Sequence, residues 1–140
     1  MASGDQIPDG NSVARGIHPK DFDKNQILPS AFALTLRDKG KLSTDWVECV
    51  HASRGNRNVK GSLERLVRLR IRPQQVSILQ AKSVRNINRG QRQLDAIEDS
   101  HPPQLPCHSA IVGMAYDSLD VELQQDLADL ANQSEQATLE

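Results

Sequence analysis

The sequence predicts an α+β domain: a small, mostly antiparallel sheet with short helices and an amphipathic helix at the carboxyl end. Three patterns predict it. Val67-Arg68-Leu69-Arg70-Ile71-Arg72 alternates strictly between apolar and basic side chains until Pro73 stops it, the period of a half-buried strand. Leu119, Leu123, Leu127 and Leu130 recur at helical spacing near the end, with Ala131 beside them and Asp120, Glu122, Asp126 and Asp129 elsewhere around the turn. Elsewhere, short apolar runs are broken by turn residues such as Asp38-Lys39-Gly40.

Taken in order, residues 1–12 are rich in Gly, Asp, Ser and Pro and read as a flexible lead-in, 13–133 as one α+β domain, and 134–140 as a frayed tail. Pro19 biases His18 toward extended backbone and can start a short helical turn through Phe22, which puts His18 at a corner. Ala31 to Leu36 alternates large and small side chains and is expected to be a strand with Phe32, Leu34 and Leu36 inward. Ser43 or Thr44 can cap a helix running through Trp46 and Glu48 to His51. Arg54 to Gly61 is expected to be a loop. Ser62 to Leu66 can form a helical turn, and a helix continuing through Leu69 competes with the strand at Val67–Arg72, because Leu63, Leu66, Val67 and Arg70 also fit a 3.6-residue period. Val76, Ile78 and Leu79 form a further short apolar segment, Asn86 to Arg92 a loop or hairpin tip, and Leu94 to Ile97 a strand. The prolines of His101-Pro102-Pro103-Gln104-Leu105-Pro106 make a rigid spacer. His108 to Gly113 returns to the core, and Asp117-Ser118 opens the final helix.

Charge is segregated along the chain. Residues 54–93 carry 11 bases and 1 acid, whereas residues 94–140 carry 10 acids and no Lys or Arg, so the net charge of −1 conceals two opposed fields. Arg68, Arg70 and Arg72 would project from one strand face about 7 Å apart, close to phosphate spacing, and are the expected binding residues. No aromatic side chain within 54–93 offers a base a stacking surface. A protein partner or a second copy of the chain is therefore the leading expectation, with nucleic acid next, and the acidic terminal helix is an internal candidate to pair with the basic block.

The 140 residues contain Cys49 and Cys107 only, too few for a disulfide scaffold, and both are expected as buried thiols of a cytoplasmic protein. No apolar run is long enough for a membrane span, so no membrane association is expected. Cys49 with His51 and Cys107 with His108 offer sulfur and nitrogen ligands, but the spacing lacks the Cys-x2-4-Cys knuckle of closed zinc sites; no metal and no cofactor is expected. His18, His51, His101 and His108 can supply a general base, Ser30, Ser43 or Ser109 a nucleophile, and Asp45 or Glu48 an orienting acid. No nucleophile elbow, phosphate loop or dinucleotide fingerprint accompanies them, which leans against an enzyme. Arg15, His18 and His108, near irregular backbone, are the residues to test first for catalysis.

Arg15-Gly-Ile-His18-Pro, Pro29-Ser30-Ala-Phe32, Leu42-Ser43-Thr-Asp-Trp46-Val-Glu48 and His108-Ser-Ala-Ile111-Val-Gly113 occur in this order. In these motifs the chain resembles a group of small bacterial proteins with no established activity, over residues 13–131. The resemblance implies a bacterial origin and a partner-dependent accessory role in a mobile or defence-related gene cluster, and it carries over no functional residue. A non-enzymatic accessory or interaction protein is the expected function, with a nucleic-acid-binding protein and a small hydrolase or transferase using His18 or His108 as alternatives.

Overall fold

A computed structural model describes residues 4–24, 26–33, 41–49, 75–89, 92–99, 107–114, 121–134 and 136–138. Six strands form one antiparallel sheet: β1 (Ser12–Ile17), β4 (Leu42–Trp46), β5 (Gln75–Gln80), β8 (Asp95–Glu98), β9 (His108–Val112) and β10 (Gln136–Thr138), in the order β10-β5-β1-β4-β9-β8. Two small hairpins lie outside it, β2 (Phe22–Asp23) with β3 (Gln26–Ile27), and β6 (Asn88–Arg89) with β7 (Arg92–Gln93). A short helix α1 (Ala81–Arg85) follows β5, and the longer α2 (Val121–Asn132) precedes β10. Fold class and architecture thus match the α+β expectation.

One apolar cluster holds these elements together. Val13 and Ile17 of β1, Leu42 of β4, Leu79 of β5, Ala96 of β8 and Ile111 of β9 join Phe32 and the α2 residues Leu123, Leu127, Ala128 and Ala131. Of the face read as Leu119, Leu123, Leu127 and Leu130, α2 buries Leu123 and Leu127, with Ala131 beside them, and leaves Leu130 half-buried; Leu119 and the Asp117-Ser118 start lie outside the described residues. Asn132, at its last turn, ties it to β3 by two hydrogen bonds: Oδ1 accepts from the Ile27 amide at 2.8 Å and Nδ2 donates to the Ile27 carbonyl at 3.1 Å. Each buried Leu or Phe here contributes about 2 kcal/mol by removal from water.

Two elements differ from the sequence expectation. Pro29 to Phe32 form a 3-10 turn instead of the start of a strand, because Pro29 at its first position fixes a helical φ while Leu28 before it is extended. Phe32 is buried as expected; Leu34 and Leu36 lie outside the described residues. Leu42 to Trp46 is a strand instead of a helix; residues 47–49 are helical, and the rest of the expected helix to His51 lies outside the described residues. The Ser43 and Thr44 hydroxyls, read as helix caps, bond across to β9 instead, so the competition between cap and cross-strand partner is won by the sheet.

Both ends are more structured than their composition suggests. Residues 4–7 run along β8: the Gly4 amide donates to the Glu98 carbonyl at 2.7 Å, the Glu98 amide to Asp5 at 2.8 Å and the Ile7 amide to Ala96 at 3.0 Å. Ile7 is fully buried, so one apolar side chain anchors a segment that reads as a mobile lead-in. At the other end, Gln136–Thr138 pairs with Thr138 opposite Gln75 and Gln136 opposite Ser77. The hairpin tip expected at Asn86 to Arg92 is β6 with β7, the strand expected at Leu94–Ile97 is β8, and the apolar stretch at His108–Gly113 holds β9. The strand at Val67–Arg72, the loop at Arg54–Gly61 and the spacer at His101–Pro106 lie outside the described residues. No helix among the described residues is long and apolar enough to cross a membrane.

Candidate functional site

The strands β4 and β9 run antiparallel with Ser43 opposite Ala110 and Asp45 opposite His108. Opposed residues share a face, so Ser43 and His108 stand diagonally on the same side of the sheet. Ser43 Oγ lies 2.6 Å from His108 Nε2, and the serine is exposed. On the far side of the ring, His108 Nδ1 lies 3.2 Å from Asp99 Oδ2 and 3.2 Å from the Asp99 backbone carbonyl. Asp99 is placed by the return of the chain from β8 to β9, its amide donating to the His108 carbonyl at 3.0 Å.

This arrangement assigns the imidazole tautomer. Both groups at Nδ1 are acceptors, a carbonyl and a carboxylate, so Nδ1 carries a proton and Nε2 presents its lone pair in the neutral ring. The Ser43 hydroxyl must then donate to Nε2. Lys41 Nζ, 3.2 Å from Asp99 Oδ1, forms an ion pair with the other carboxylate oxygen. The Asp99 side chain is 7% exposed and that of His108 14%, so the charge-bearing half of the chain of contacts is shielded while the hydroxyl end faces solvent.

Arg15 braces the serine from behind. Pairing of β1 with β4 covers Val13–Trp46 and Ala14–Asp45, and beyond that point the two strands part. Arg15 fills the fork: Nη1 donates to the Ser43 carbonyl and Nε to the Ala31 carbonyl, both at 2.7 Å. Thr44 and Ser109, on the opposite face, bond to each other at 2.6 Å in full burial. Ser109 is thereby a core hydroxyl and not a nucleophile.

His18, Ser30 and Glu48 are engaged elsewhere, whereas Asp45 shares the face of Ser43 and His108. His18 caps the 3-10 turn Pro19–Asp21, its Nδ1 accepting the Lys20 amide at 3.2 Å. Ser30 Oγ donates to Asp21 Oδ1 at 2.7 Å, and Glu48 Oε1 accepts the Ser12 amide at 2.7 Å. Asp45 is buried opposite His108 on the neighbouring strand. His51 and His101, like Arg68, Arg70 and Arg72, lie outside the described residues. Among the nucleophile and base candidates, the fold therefore brings together Ser43 and His108, with Asp99 as the acid in place of Asp45 or Glu48. Asp99 carried a usable signal: a strand ending at Ile97 and another starting at His108 form a hairpin around the proline spacer, which sets Asp99 and His108 side by side.

Cys49 and Cys107 are bonded to each other, with Cα atoms 5.5 Å apart, a correction to the expectation of two buried thiols. The cysteine count alone suggests free thiols; the deciding fact is that the helical turn after β4 and the start of β9 meet within bridging distance. Their sulfurs are consequently not thiolate ligands for a metal, and among the described residues no group of three or more His, Cys, Asp or Glu side chains converges on a metal-sized space.

Two further clusters are structural. Arg85 Nε donates to Asp95 Oδ1 at 2.6 Å, Nη1 to Asp9 Oδ1 at 2.7 Å, and Nη2 to the carbonyls of Ala96, at 3.0 Å, and Ile7. Burial by itself would lower the Arg85 pKa, but the hydrogen bonds and charges of Asp95 and Asp9 outweigh it and the net shift is upward. Arg89 on the β6–β7 hairpin holds Asp126 of α2 through Nε at 2.9 Å and Nη2 at 2.8 Å, with Glu122 at 3.2 Å. A groove of about 450 Å³ between that hairpin and α2 is polar and shallow, lined among others by Asn86, Asn88 and Gln133. No family model, curated protein or solved structure matches the chain.

Proposed function

We propose that the protein is a small hydrolase or acyl transferase in which Ser43 is the nucleophile, His108 the general base and Asp99 the group that orients it. The observation carrying this reading is the continuous contact from Ser43 Oγ through Nε2 and Nδ1 to Asp99 Oδ2, with the tautomer assigned by two acceptors at Nδ1. An unassisted serine hydroxyl is a weak nucleophile; a lone pair 2.6 Å away that can take its proton makes it reactive at neutral pH. Ser43 Oγ would attack an electrophilic acyl carbon as its proton passes to Nε2. The imidazolium formed would be stabilised by Asp99, then return the proton to the leaving group, and water or a second acceptor would take the acyl group.

An activity-based fluorophosphonate tests this directly, because its phosphorus is attacked by an activated serine with loss of fluoride. Intact mass and peptide mapping should place the adduct on Ser43 in the wild-type chain and on neither Ser43→Ala nor His108→Ala. A wild-type chain that stays unlabelled removes the reading.

A second reading, a non-enzymatic accessory or interaction protein meeting a protein partner or a second copy through Arg68, Arg70 and Arg72 or the acidic helix, is favoured by the exposed acids Glu122 and Asp129 on α2. Arg89 already answers part of that acidic charge within the fold. Binding to an acidic or basic partner through these groups would weaken steeply with added salt, whereas a polyanion assay flat across a salt series would remove nucleic acid from consideration.

A further inference from the structure

Resting on the hydrolytic reading of Ser43, we propose that the Cys49–Cys107 disulfide is a redox control of that site, closed for activity and opened by a dithiol reductant. The ladder between β4 and β9 covers Leu42–Ile111 through Asp45–His108, so His108 is the last paired residue of β9. Terminal residues of a ladder open at low free energy. Immediately beyond His108, the two strands are joined by the Cys49–Cys107 bond and by the Trp46 amide donating to the Cys107 carbonyl at 2.9 Å. The crosslink therefore closes the end of the ladder next to the imidazole that must meet Ser43 on one side and Asp99 on the other.

The chemistry is a two-electron exchange. Cys107 is buried at 1% exposure while Cys49 is partly exposed, so a reductant thiolate attacks Cys49 Sγ and Cys107 leaves as a thiolate that takes up a proton. The second thiol of the reductant then resolves the mixed disulfide, releasing Cys49 as a thiol and the reductant as its own disulfide. With the bond gone, the start of β9 frays and the 2.6 Å contact to Ser43 is lost for part of the time.

The test uses the full chain and a fluorophosphonate probe. Labelling rate at Ser43 is measured in the oxidised chain, after reduction with dithiothreitol, and after reoxidation, with circular dichroism following the sheet; a Cys49→Ala/Cys107→Ala variant repeats the reduced state without reagent. The expected result is labelling that falls about a hundredfold on reduction, since a displacement of about 1 Å at a catalytic group costs that order, with the sheet retained and the rate restored on reoxidation. Equal labelling in both states overturns the control and leaves the hydrolytic reading standing. Absence of label in the oxidised chain overturns the hydrolytic reading itself. Loss of the sheet on reduction and in the variant, or two titratable thiols in the oxidised chain, also overturns the control, the first by making the bond a structural crosslink.

Discussion

The polar networks of Arg85 and His108 meet opposite ends of β8, through Asp95 at its start and Asp99 just past its end, and the two end differently. The guanidinium of Arg85 is enclosed by Asp95, Asp9 and two backbone carbonyls, all tying the amino-terminal segment to β8. The imidazole of His108 is backed by Asp99 and terminates in a hydroxyl that faces water. A network whose donors are taken up by carboxylates and carbonyls of the fold stabilises it; a network that ends on an exposed, hydrogen-bonded hydroxyl leaves a group that solvent can reach. The difference predicts that the two clusters respond to mutation in opposite ways.

The largest effect is expected at Asp99. In Asp99→Asn the amide can donate to Nδ1, favouring the wrong tautomer, and fluorophosphonate labelling at Ser43 should fall on the order of a thousandfold while the thermal midpoint moves little. An unchanged rate would break the comparison. Removing the Cys49–Cys107 bond should lower stability by about 4 kcal/mol, the value for a closed loop of this length, read from urea unfolding with and without reductant. Arg85→Ala should cost about 3 kcal/mol in the same measurement, because it removes four charge-assisted hydrogen bonds that join the amino-terminal segment and β8 to α1, yet folded protein should label at Ser43 within about threefold of wild type. Because its pKa is raised on folding, the arginine contributes stability below its folded pKa and loses it only in strong alkali; the clamp adds no arginine-derived pH slope near neutrality.

Gly113→Ala comes next, at about 2 kcal/mol, since Gly113 has φ +108 and a Cβ there would press into the Gln93 carbonyl, a backbone atom that cannot swing away. The smallest effect belongs to Arg89→Ala. Its partners Asp126 and Glu122 lie at the surface, and the change in thermal midpoint should be slight and vanish as salt is added.

The legibility of the chain follows the range of the interactions. Leu123, Leu127 and Leu130, with Ala131 beside them, announce α2 because helical periodicity is local, and the 3-10 turn after His18 follows from Pro19. Leu42 to Trp46 departs from the expected helix because Ser43 and Thr44 have two outlets for their hydroxyls, a backbone amide two or three residues on or a partner 65 residues away, and sequence shows only the first. Pro29 set a turn where alternation in Ala31–Leu36 suggested a strand. Ser43 and His108 were both visible as residue types, but Asp99 was missed, since its role depends on the hairpin that folds it back onto His108.

The sequence by itself determined the α+β class, the final amphipathic helix, several strand segments and the charge segregation, all of which are written in neighbouring residues. Tertiary structure alone decided that Ile7 is core, that Cys49 meets Cys107, that Arg85 and Arg89 neutralise acids far along the chain, and that Ser43, His108 and Asp99 touch. The physical reason is that these are contacts across strand register, and register is set by how the whole sheet buries its apolar face, which no local window contains.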